Sequence, residues 1–262
     1  MYMGISIKSA DELAAMRQVG RVVHHTLEAC KAAVRPGVTT AELDQLALET
    51  WSKWGAQGLF KNYPSYEPGK GFPGNTCISV NDEVVHGIPG ERILRDGDIV
   101  SIDCGLRLGG WCGDSAITVA VGNPSPQAQK LIQVAYETLQ MAIELIRPGR
   151  RWTDIAKPMQ HHVESNGFSC VREFVGHGIG RRMHEEPKVP NFCSRELERF
   201  GDFYLRSGMT LAVEPMVIAG QHDVVVLDDG WTVLSKDSTP AAHVEHTVAV
   251  TANGCSVLTD GT

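Results

Sequence analysis

The chain has 262 residues, of which 42% are hydrophobic and 21% charged, and its formal net charge is −7. Because it is acidic and no run of Lys or Arg exceeds two residues, it lacks the basic patch that nucleic acid or an anionic membrane surface requires, and neither is expected as a partner. No export signal, membrane-length apolar window or Cys-x-x-Cys pair occurs, which predicts a cytoplasmic protein with seven free thiols.

Two helices are predicted in the first part of the chain, each beginning with a capping box. Ser9 followed three residues later by Glu12 begins the first helix, whose apolar spacing continues to about Val34. An Arg-Pro-Gly segment then breaks the helix. Thr39 with Glu42 begins the second helix in the same way, and strands are expected after it.

The same order of elements is predicted again in the second part of the chain. Ser125, followed by a proline at the first helical position, begins a helix that continues to about Ile146. A second Arg-Pro-Gly segment ends it. Another helix is predicted from about Thr153 to Asn166, and Pro158 is expected to kink that helix or to delay its start.

Three short segments recur in the same order in the two parts of the chain. They are Arg-Pro-Gly at residues 35–37 and 147–149, His-Gly-Ile at residues 86–88 and 177–179, and Leu-Arg-x-Gly at residues 94–97 and 205–208. This ordered recurrence indicates a divergent internal duplication. We therefore expect one domain of residues 1–262, built from halves of roughly 1–123 and 124–262 that pack about a pseudo-twofold axis.

Four acidic residues fall where buried strands are predicted. Asp103 and Glu214 each end an apolar, β-branched run at equivalent positions of the two halves, while Asp114 and Glu245 each open one. A buried ionised acid is costly unless it is paired or bound to a metal, and facing carboxylates repel. A cation between the carboxylates removes the difficulty, and His177, flanked by glycines, adds an imidazole.

An oxygen-rich ligand set with one imidazole suits a pair of divalent ions such as Mn, Fe, Co or Zn. Two such ions about 3.5–4 Å apart can activate a shared water as a nucleophile. Taken singly, each residue has an ordinary alternative, because acids often form turns and caps and His-Gly also marks plain turns. The ordered set as a whole favours the metal site.

Seven segments resemble the motifs of the bacterial-type (type I) methionine aminopeptidases, over about residues 5–259. They are NDEVVHGIP at 81–89, DIVSID at 98–103, GDS at 113–115, GHGIG at 176–180, HEEP at 184–187, VEPM at 213–216 and EHT at 245–247. The resemblance implies the α/β (α+β) pita-bread fold, in which a curved antiparallel sheet from pseudo-twofold duplicated halves is covered by helices. It also implies that two divalent ions per chain (Co, Mn, Fe, Zn or Ni) are bound by Asp103, Asp114, His177, Glu214 and Glu245.

The resemblance further implies hydrolysis of the peptide bond after the N-terminal methionine of nascent polypeptides. Glu214 is then the general base and later the general acid. His184 is expected to hydrogen-bond the carbonyl oxygen or the tetrahedral intermediate, and His86 is expected near the leaving nitrogen. The alternative is that both histidines only order their loops.

The methionine side chain needs an apolar pocket, and the resemblance implies that Cys77, Phe72 and Trp231 line it. Each of the three could equally be ordinary packing. His86 and His184 complete the expected substrate-binding set.

The chain departs from the family's usual residues around the metals and at the pocket rim. Gly105 and Ala212 stand where threonines are typical, and His243 stands where glutamine is typical. Residues next to metal ligands orient those ligands through hydrogen bonds. Our hypothesis is therefore that this chain binds the second metal more weakly or prefers a different metal. The loop between residues 58 and 77 is longer than usual, and the rim differs at Tyr63, Tyr66, Gly69, Lys70 and Met183.

Two other functions remain open. A relative of prolidase or aminopeptidase P (an Xaa-Pro aminopeptidase or dipeptidase) usually carries an extra N-terminal domain, for which no room is expected before Ser9. A non-catalytic pita-bread binding protein usually lacks ligands that this chain retains. The expected partners are the N-terminal methionine of nascent chains and, transiently, the ribosome, and a monomer is expected.

Overall fold

The computed structural model of the chain describes residues 4–64 and 71–262, and its first half contains two helices followed by strands. These elements are α1 (Ala10–Ala33), α2 (Thr40–Ser52), β1 (Gln57–Gly58), β2 (Cys77–Val80), β3 (Glu83–Val85), β4 (Ile99–Leu108) and β5 (Trp111–Ala120). Both capping boxes form as predicted: Ser9 and Thr39 each accept a hydrogen bond from the backbone of the glutamate three residues on, whose side chain returns the bond. Two N–H groups at each helix start are thereby satisfied.

The second half repeats this order with two helices and a longer series of strands. These elements are α3 (Pro126–Leu145), α4 (Thr153–Ser165), β6 (Ser169–Cys170), β7 (Gly176–Gly178), β8 (Glu185–Val189), a π-helical turn (Leu197–Gly201), β9 (Thr210–Val213), β10 (Met216–Ile218), β11 (Val224–Val226), β12 (Val233–Ser235), β13 (Ala241–His243), β14 (Glu245–Val250) and β15 (Cys255–Val257). Ser125 caps α3 as predicted. α4 begins at Thr153, so Pro158 lies inside the helix and does not delay its start.

One antiparallel sheet of nine strands runs through both halves of the described chain. Its order is β1-β4-β5-β14-β9-β7-β8, with β2 also paired to β4 and β15 to β14. The halves meet where β5 pairs with β14, with Ala116 opposite Glu245 and Ser115 opposite His246. Two three-stranded sheets, β13-β10-β6 and β11-β12-β3, complete the strand pairing.

Two strand boundaries differ from the prediction. Asp103 lies in the middle of β4 rather than at the end of a strand, and β5 begins before Asp114. The reason is the Gly109-Gly110 turn, in which both residues have positive φ, 59° and 78°. Such a two-residue turn joins antiparallel strands tightly, and pairing therefore continues to Leu108 opposite Trp111.

Each half contributes its own cluster of buried apolar side chains. In the first half α1 covers one face of β4 and β5 and α2 packs against α1, with Val19, Leu43 and Ile102 among the fully buried residues. In the second half α3 packs against α4 and against several strands including β10, β13 and β14, and α4 packs against β6, with Leu131 and Ile155 fully buried. This twofold arrangement agrees with the predicted duplication. Within the described ranges, no helix combines the length and the hydropathy needed to cross a membrane.

Candidate active site

The centre of the nine-stranded sheet carries acidic side chains on one face. Ala116 of β5 is paired with Asp103 of β4 on one side and with Glu245 of β14 on the other. Paired residues of antiparallel strands point to the same face of the sheet, and so do residues two apart on one strand. Asp103, Glu245 and Asp114 therefore surround the single methyl group of Ala116, which leaves space between their carboxyl groups.

The second half adds an imidazole and another carboxylate to this face. His177 of β7 pairs with Ala212 of β9, which in turn pairs with Thr247 of β14. Thr247 lies two residues after Glu245, and Glu214 lies two residues after Ala212. The strand register thus directs His177 and Glu214 towards the acids of the first half.

The donor atoms of these side chains approach one another without forming the hydrogen bonds usual for such groups. One donor atom from each of Asp114, His177 and Glu245 lies within 4.8 Å of the others. His177 Nε2 is 3.6 Å from Glu214 Oε1 and 3.9 Å from Asp114 Oδ2, which is longer than a hydrogen bond. The carboxyl group of Asp103 lies close enough to those of Asp114 and Glu214 for their charges to raise its pKa further above the effect of burial. The structure therefore brings all five predicted ligands together.

Three carboxylate oxygens in this cluster have no hydrogen-bond partner among the described residues. They are Oδ1 of Asp103, Oδ1 of Asp114 and Oε1 of Glu245, and all three are buried. Leaving a buried charged acceptor without a partner costs several kcal/mol, so buried polar atoms of this kind call for a partner outside the chain. Carboxylate oxygens with one imidazole form a donor set that fits a divalent cation.

The electrostatics of the cluster agree with that fit. Burial raises the pKa of Asp114 to about 7, and burial together with the charge of Asp114 raises the pKa of Glu214 to about 8. Burial and the neighbouring carboxylates also raise the pKa values of Asp103 and Glu245 well above their ordinary range. These four groups therefore cannot all ionise near neutral pH unless a cation compensates their charge.

His177 is held in the form that a metal ligand requires. Its Nδ1 lies 2.9 Å from the carbonyl oxygen of Gly178, so Nδ1 carries the hydrogen and donates it. The lone pair of Nε2 then faces Glu214 and Asp114. Burial lowers the pKa of His177 to about 3, which keeps the ring neutral.

The other two predicted histidines lie on the wall of the same cavity. The ring of His184 meets that of His177 edge to face, with 4.3 Å between centroids, and its Nδ1 is 2.7 Å from the Tyr63 hydroxyl. His86 follows β3 with a positive φ of 58° and packs edge to face against Phe174 at 5.3 Å. Burial lowers the pKa of His86 to about 4 and also lowers that of His184.

The three predicted pocket residues form one apolar cluster. Phe72 and Trp231 pack edge to face with 5.3 Å between ring centroids. Cys77 belongs to the same cluster, together with Phe60 and Met183. Burial raises the pKa of the Cys77 thiol well above its ordinary range, which keeps the group neutral and apolar in character.

The acid cluster, the histidines and the apolar cluster all line one cavity of about 690 Å³. Cys77 is directly opposite Asp103 in the β2–β4 pairing, so the apolar wall begins beside the acid cluster. The cavity can therefore hold a polar reacting group at one end and an apolar side chain at the other.

The sequence did not reveal two aromatic residues of this site, nor the partner of Tyr63, which it had placed at the rim. Phe60 and Phe174 lie outside every motif, and the hydroxyl contact of Tyr63 with His184 joins residues far apart in the chain. Phe60 also accounts for Gly105, because a Cβ at residue 105 would lie 2.7 Å from the Phe60 ring. Three rim positions singled out in the sequence lie outside the described residues, namely Tyr66, Gly69 and Lys70.

Comparisons with known proteins agree with this architecture. Residues 14–252 match Metallopeptidase family M24. A methionine aminopeptidase of Clostridium perfringens is 48% identical over 255 residues, which cover 97% of this chain and 98% of that protein. The crystal structure of methionine aminopeptidase from Thermotoga maritima matches with a TM-score of 0.91 at 40% identity, covering 98% of this chain and 99% of that one. The prolidase from Pyrococcus horikoshii matches with a TM-score of 0.77 at 20% identity, covering 98% of this chain and 64% of that one, and shares the fold. The predicted pita-bread fold is thereby confirmed.

Proposed function

The chain belongs to metallopeptidase family M24, where its relatives place it among the methionine aminopeptidases, and from this premise we propose how its own residues remove an N-terminal methionine. The observation that carries the proposal is the set of buried, unpartnered carboxylate oxygens beside the Nε2 lone pair of His177. This set lies in a cavity whose other wall is apolar. Residues 1–262 act as one catalytic domain, supported by the sheet that continues from one half into the other.

The five clustered residues would hold two divalent ions, with Co, Mn, Fe, Zn and Ni as the candidates. These ligands are Asp103, Asp114, His177, Glu214 and Glu245. When bound, such ions polarise the scissile carbonyl group and acidify the water that attacks it. The carboxylates, which cannot all ionise by themselves, would give up their protons as the ions bind.

Glu214 is the proposed general base. Its carboxylate would accept the proton of the attacking water and then donate that proton to the leaving amine when the carbon–nitrogen bond breaks. The distance of 3.6 Å between its Oε1 and His177 Nε2 supports this role.

His184 and His86 would contact the substrate on either side of the scissile bond. The Tyr63 hydroxyl, 2.7 Å from Nδ1 of His184, can donate its hydrogen there, and Nε2 of His184 then carries a hydrogen that it can donate to the developing oxyanion. His86, on the same cavity wall, would lie near the leaving nitrogen.

Specificity for methionine would come from the apolar cluster of Phe60, Phe72, Cys77, Met183 and Trp231. An unbranched thioether side chain fits a wall of aromatic rings and thiol or thioether sulfur. The free amine of the substrate would bind at the acidic end of the cavity, which restricts cleavage to the first peptide bond.

Action on nascent chains implies a cytoplasmic enzyme that meets the ribosome transiently, and we propose that it works as a monomer. A single species of monomer mass in sedimentation analysis would support the last point, and a concentration-dependent dimer would contradict it.

Hydrolysis of Met-Ala-Ser tests the proposed function. After chelation and reloading with Mn or Co, the enzyme should release methionine, whereas acetyl-Met-Ala-Ser and Ala-Pro should be poor substrates. Glu214→Gln should lower kcat by about 10²–10⁴-fold, as expected for loss of a general base. Glu91→Gln, at an exposed position, is the matched control and should keep full activity. Faster cleavage of Ala-Pro would favour the prolidase alternative, and no turnover with any metal would favour a binding protein.

A further inference from the structure

His243, the last residue of β13, is fixed in position by hydroxyl groups from the first half of the chain. Its backbone N–H donates to Thr118 Oγ1 at 3.0 Å and lies 3.3 Å from Ser101 Oγ. Its carbonyl oxygen accepts a hydrogen bond from the Thr118 hydroxyl at 2.6 Å. Strands β4 and β5 thus hold the backbone of β13 in a single place beside Met216 of β10.

The imidazole of His243 points into the cavity that contains the acid cluster. The residue is only 3% exposed, and its Nε2 has no hydrogen-bond partner among the residues described. This nitrogen is 3.8 Å from Glu214 Oε2, while the other oxygen of Glu214 is 3.6 Å from His177 Nε2. The Glu214 carboxylate therefore lies between two imidazole nitrogens.

The separation between His243 and Glu214 is typical of two ligands of one ion. At 3.8 Å it exceeds a hydrogen bond. Two donor atoms that each lie about 2.0–2.2 Å from a shared ion are up to roughly 4.4 Å apart. The distances from His177 Nε2 to Glu214 and to Asp114 are 3.6 and 3.9 Å, so they bracket the 3.8 Å between His243 Nε2 and Glu214 Oε2.

We propose that Nε2 of His243 is a sixth ligand of the metal centre, which thereby has two imidazoles instead of one. The inference rests on the proposed function and extends it to the choice of metal. Imidazole suits Zn, Co, Fe and Ni, whereas Mn favours oxygen ligands, so the additional nitrogen should favour the first group over Mn. The competing role for His243 is that of a hydrogen-bond donor that orients Glu214, a task that a glutamine amide could also perform.

Metal binding by the whole chain distinguishes these roles. Four proteins are compared after treatment with a chelator: wild type, His243→Gln, His243→Ala and the exposed control His161→Gln. Each is titrated with Co(II) and with Mn(II). Calorimetry measures the affinity, and visible absorption reports the coordination of Co(II). We expect His243→Gln and His243→Ala to bind Co(II) at least about 10-fold more weakly, to change its visible band, and to bind Mn(II) nearly as wild type. Free imidazole should restore the band in His243→Ala, in which a space for it has been opened.

The inference is overturned if His243→Gln keeps the Co(II) band of wild type and binds Co(II) within about twofold of the wild-type affinity. The amide of glutamine would then replace His243 fully as a hydrogen-bond donor to Glu214. Glu245→Gln separates this failure from failure of the proposed function. If Glu245→Gln loses Co(II) binding while His243→Gln keeps it, only the sixth ligand is refuted. If the wild-type protein does not bind Co(II), the proposed metal centre fails and the sixth ligand fails with it.

Discussion

Replacing Glu214 with glutamine should stabilise the metal-free protein at neutral pH, although it removes the proposed general base. Burial and the charge of Asp114 raise the pKa of Glu214 from 4.5 to about 8. Between these values the folded protein retains a proton that the unfolded chain has released. The free energy of unfolding therefore falls as the pH rises through this window.

The size of the effect follows from the shift. A difference of one proton between the two states changes the free energy of unfolding by about 1.36 kcal/mol per pH unit. From about pH 5.5 to about pH 7.5, a single group with these pKa values lowers the stability of the folded state by about 2.5 kcal/mol. Glutamine has nearly the same shape as glutamic acid and no titrating proton. The free energy of unfolding of Glu214→Gln should therefore fall less than that of wild type between these two pH values, by about 2.5 kcal/mol.

Urea denaturation in the presence of a chelator measures this difference directly. Wild type, Glu214→Gln and the exposed control Glu91→Gln are unfolded at about pH 5.5 and about pH 7.5, and the changes in free energy of unfolding are compared. Glu91→Gln should follow wild type. If Glu214→Gln shows the same pH dependence as wild type, or is the less stable protein at about pH 7.5, then Glu214 does not retain its proton in the folded protein.

Three further changes have outcomes that the structure predicts. Glu185→Gln leaves Lys8, whose side chain is 3% exposed, without its ion-pair partner at 2.8 Å, and should cost about 3 kcal/mol in urea denaturation at neutral pH. Burial alone would raise the pKa of Glu185, but hydrogen bonds, of which that from Lys8 is the strongest, lower it below its ordinary value. The difference in free energy of unfolding between Glu185→Gln and wild type should therefore shrink as the pH falls and Glu185 of the wild type is protonated. Gly105→Thr should destabilise the protein by about 1–3 kcal/mol by meeting the Phe60 ring, and a double-mutant cycle with Phe60→Ala should recover much of that loss, whereas strictly additive effects would contradict the contact. Asp44→Ala removes the acceptor of four hydrogen bonds that hold residues 75–76, just before the pocket strand β2, and should raise KM more than it lowers kcat, whereas unchanged steady-state kinetics would contradict this.

Local signals allowed the helices to be predicted from the sequence. The capping boxes at Ser9 and Thr39 act within three residues, and both helices begin where those residues indicate. Strand boundaries were less accessible, because the length of β4 depends on its pairing with β5 beyond Asp103. That pairing is determined by the Gly109-Gly110 turn between the two strands, and the apolar run before Asp103 does not indicate how far the pairing extends.

The candidate site, like the fold, was predictable from the sequence only in part. The five proposed ligands lie in recognisable motifs, and the internal duplication gave a reason for Asp103 and Glu214 to face each other. The residues that surround these ligands depend on contacts between distant segments of the chain, which no short sequence motif encodes. Tyr63 meets His184 across 121 residues, and Phe60 fills the place that a side chain at residue 105 would need.

Anomalous diffraction from crystals of the Co(II)-loaded protein would show directly whether the buried acid cluster is the metal centre. We expect two strong anomalous peaks in the cavity, and we expect Glu245→Gln to lose them. The peaks should contact Asp103, Asp114, His177, Glu214 and Glu245. Peaks only at surface histidines, or an empty cluster in crystals of active enzyme, would contradict this prediction.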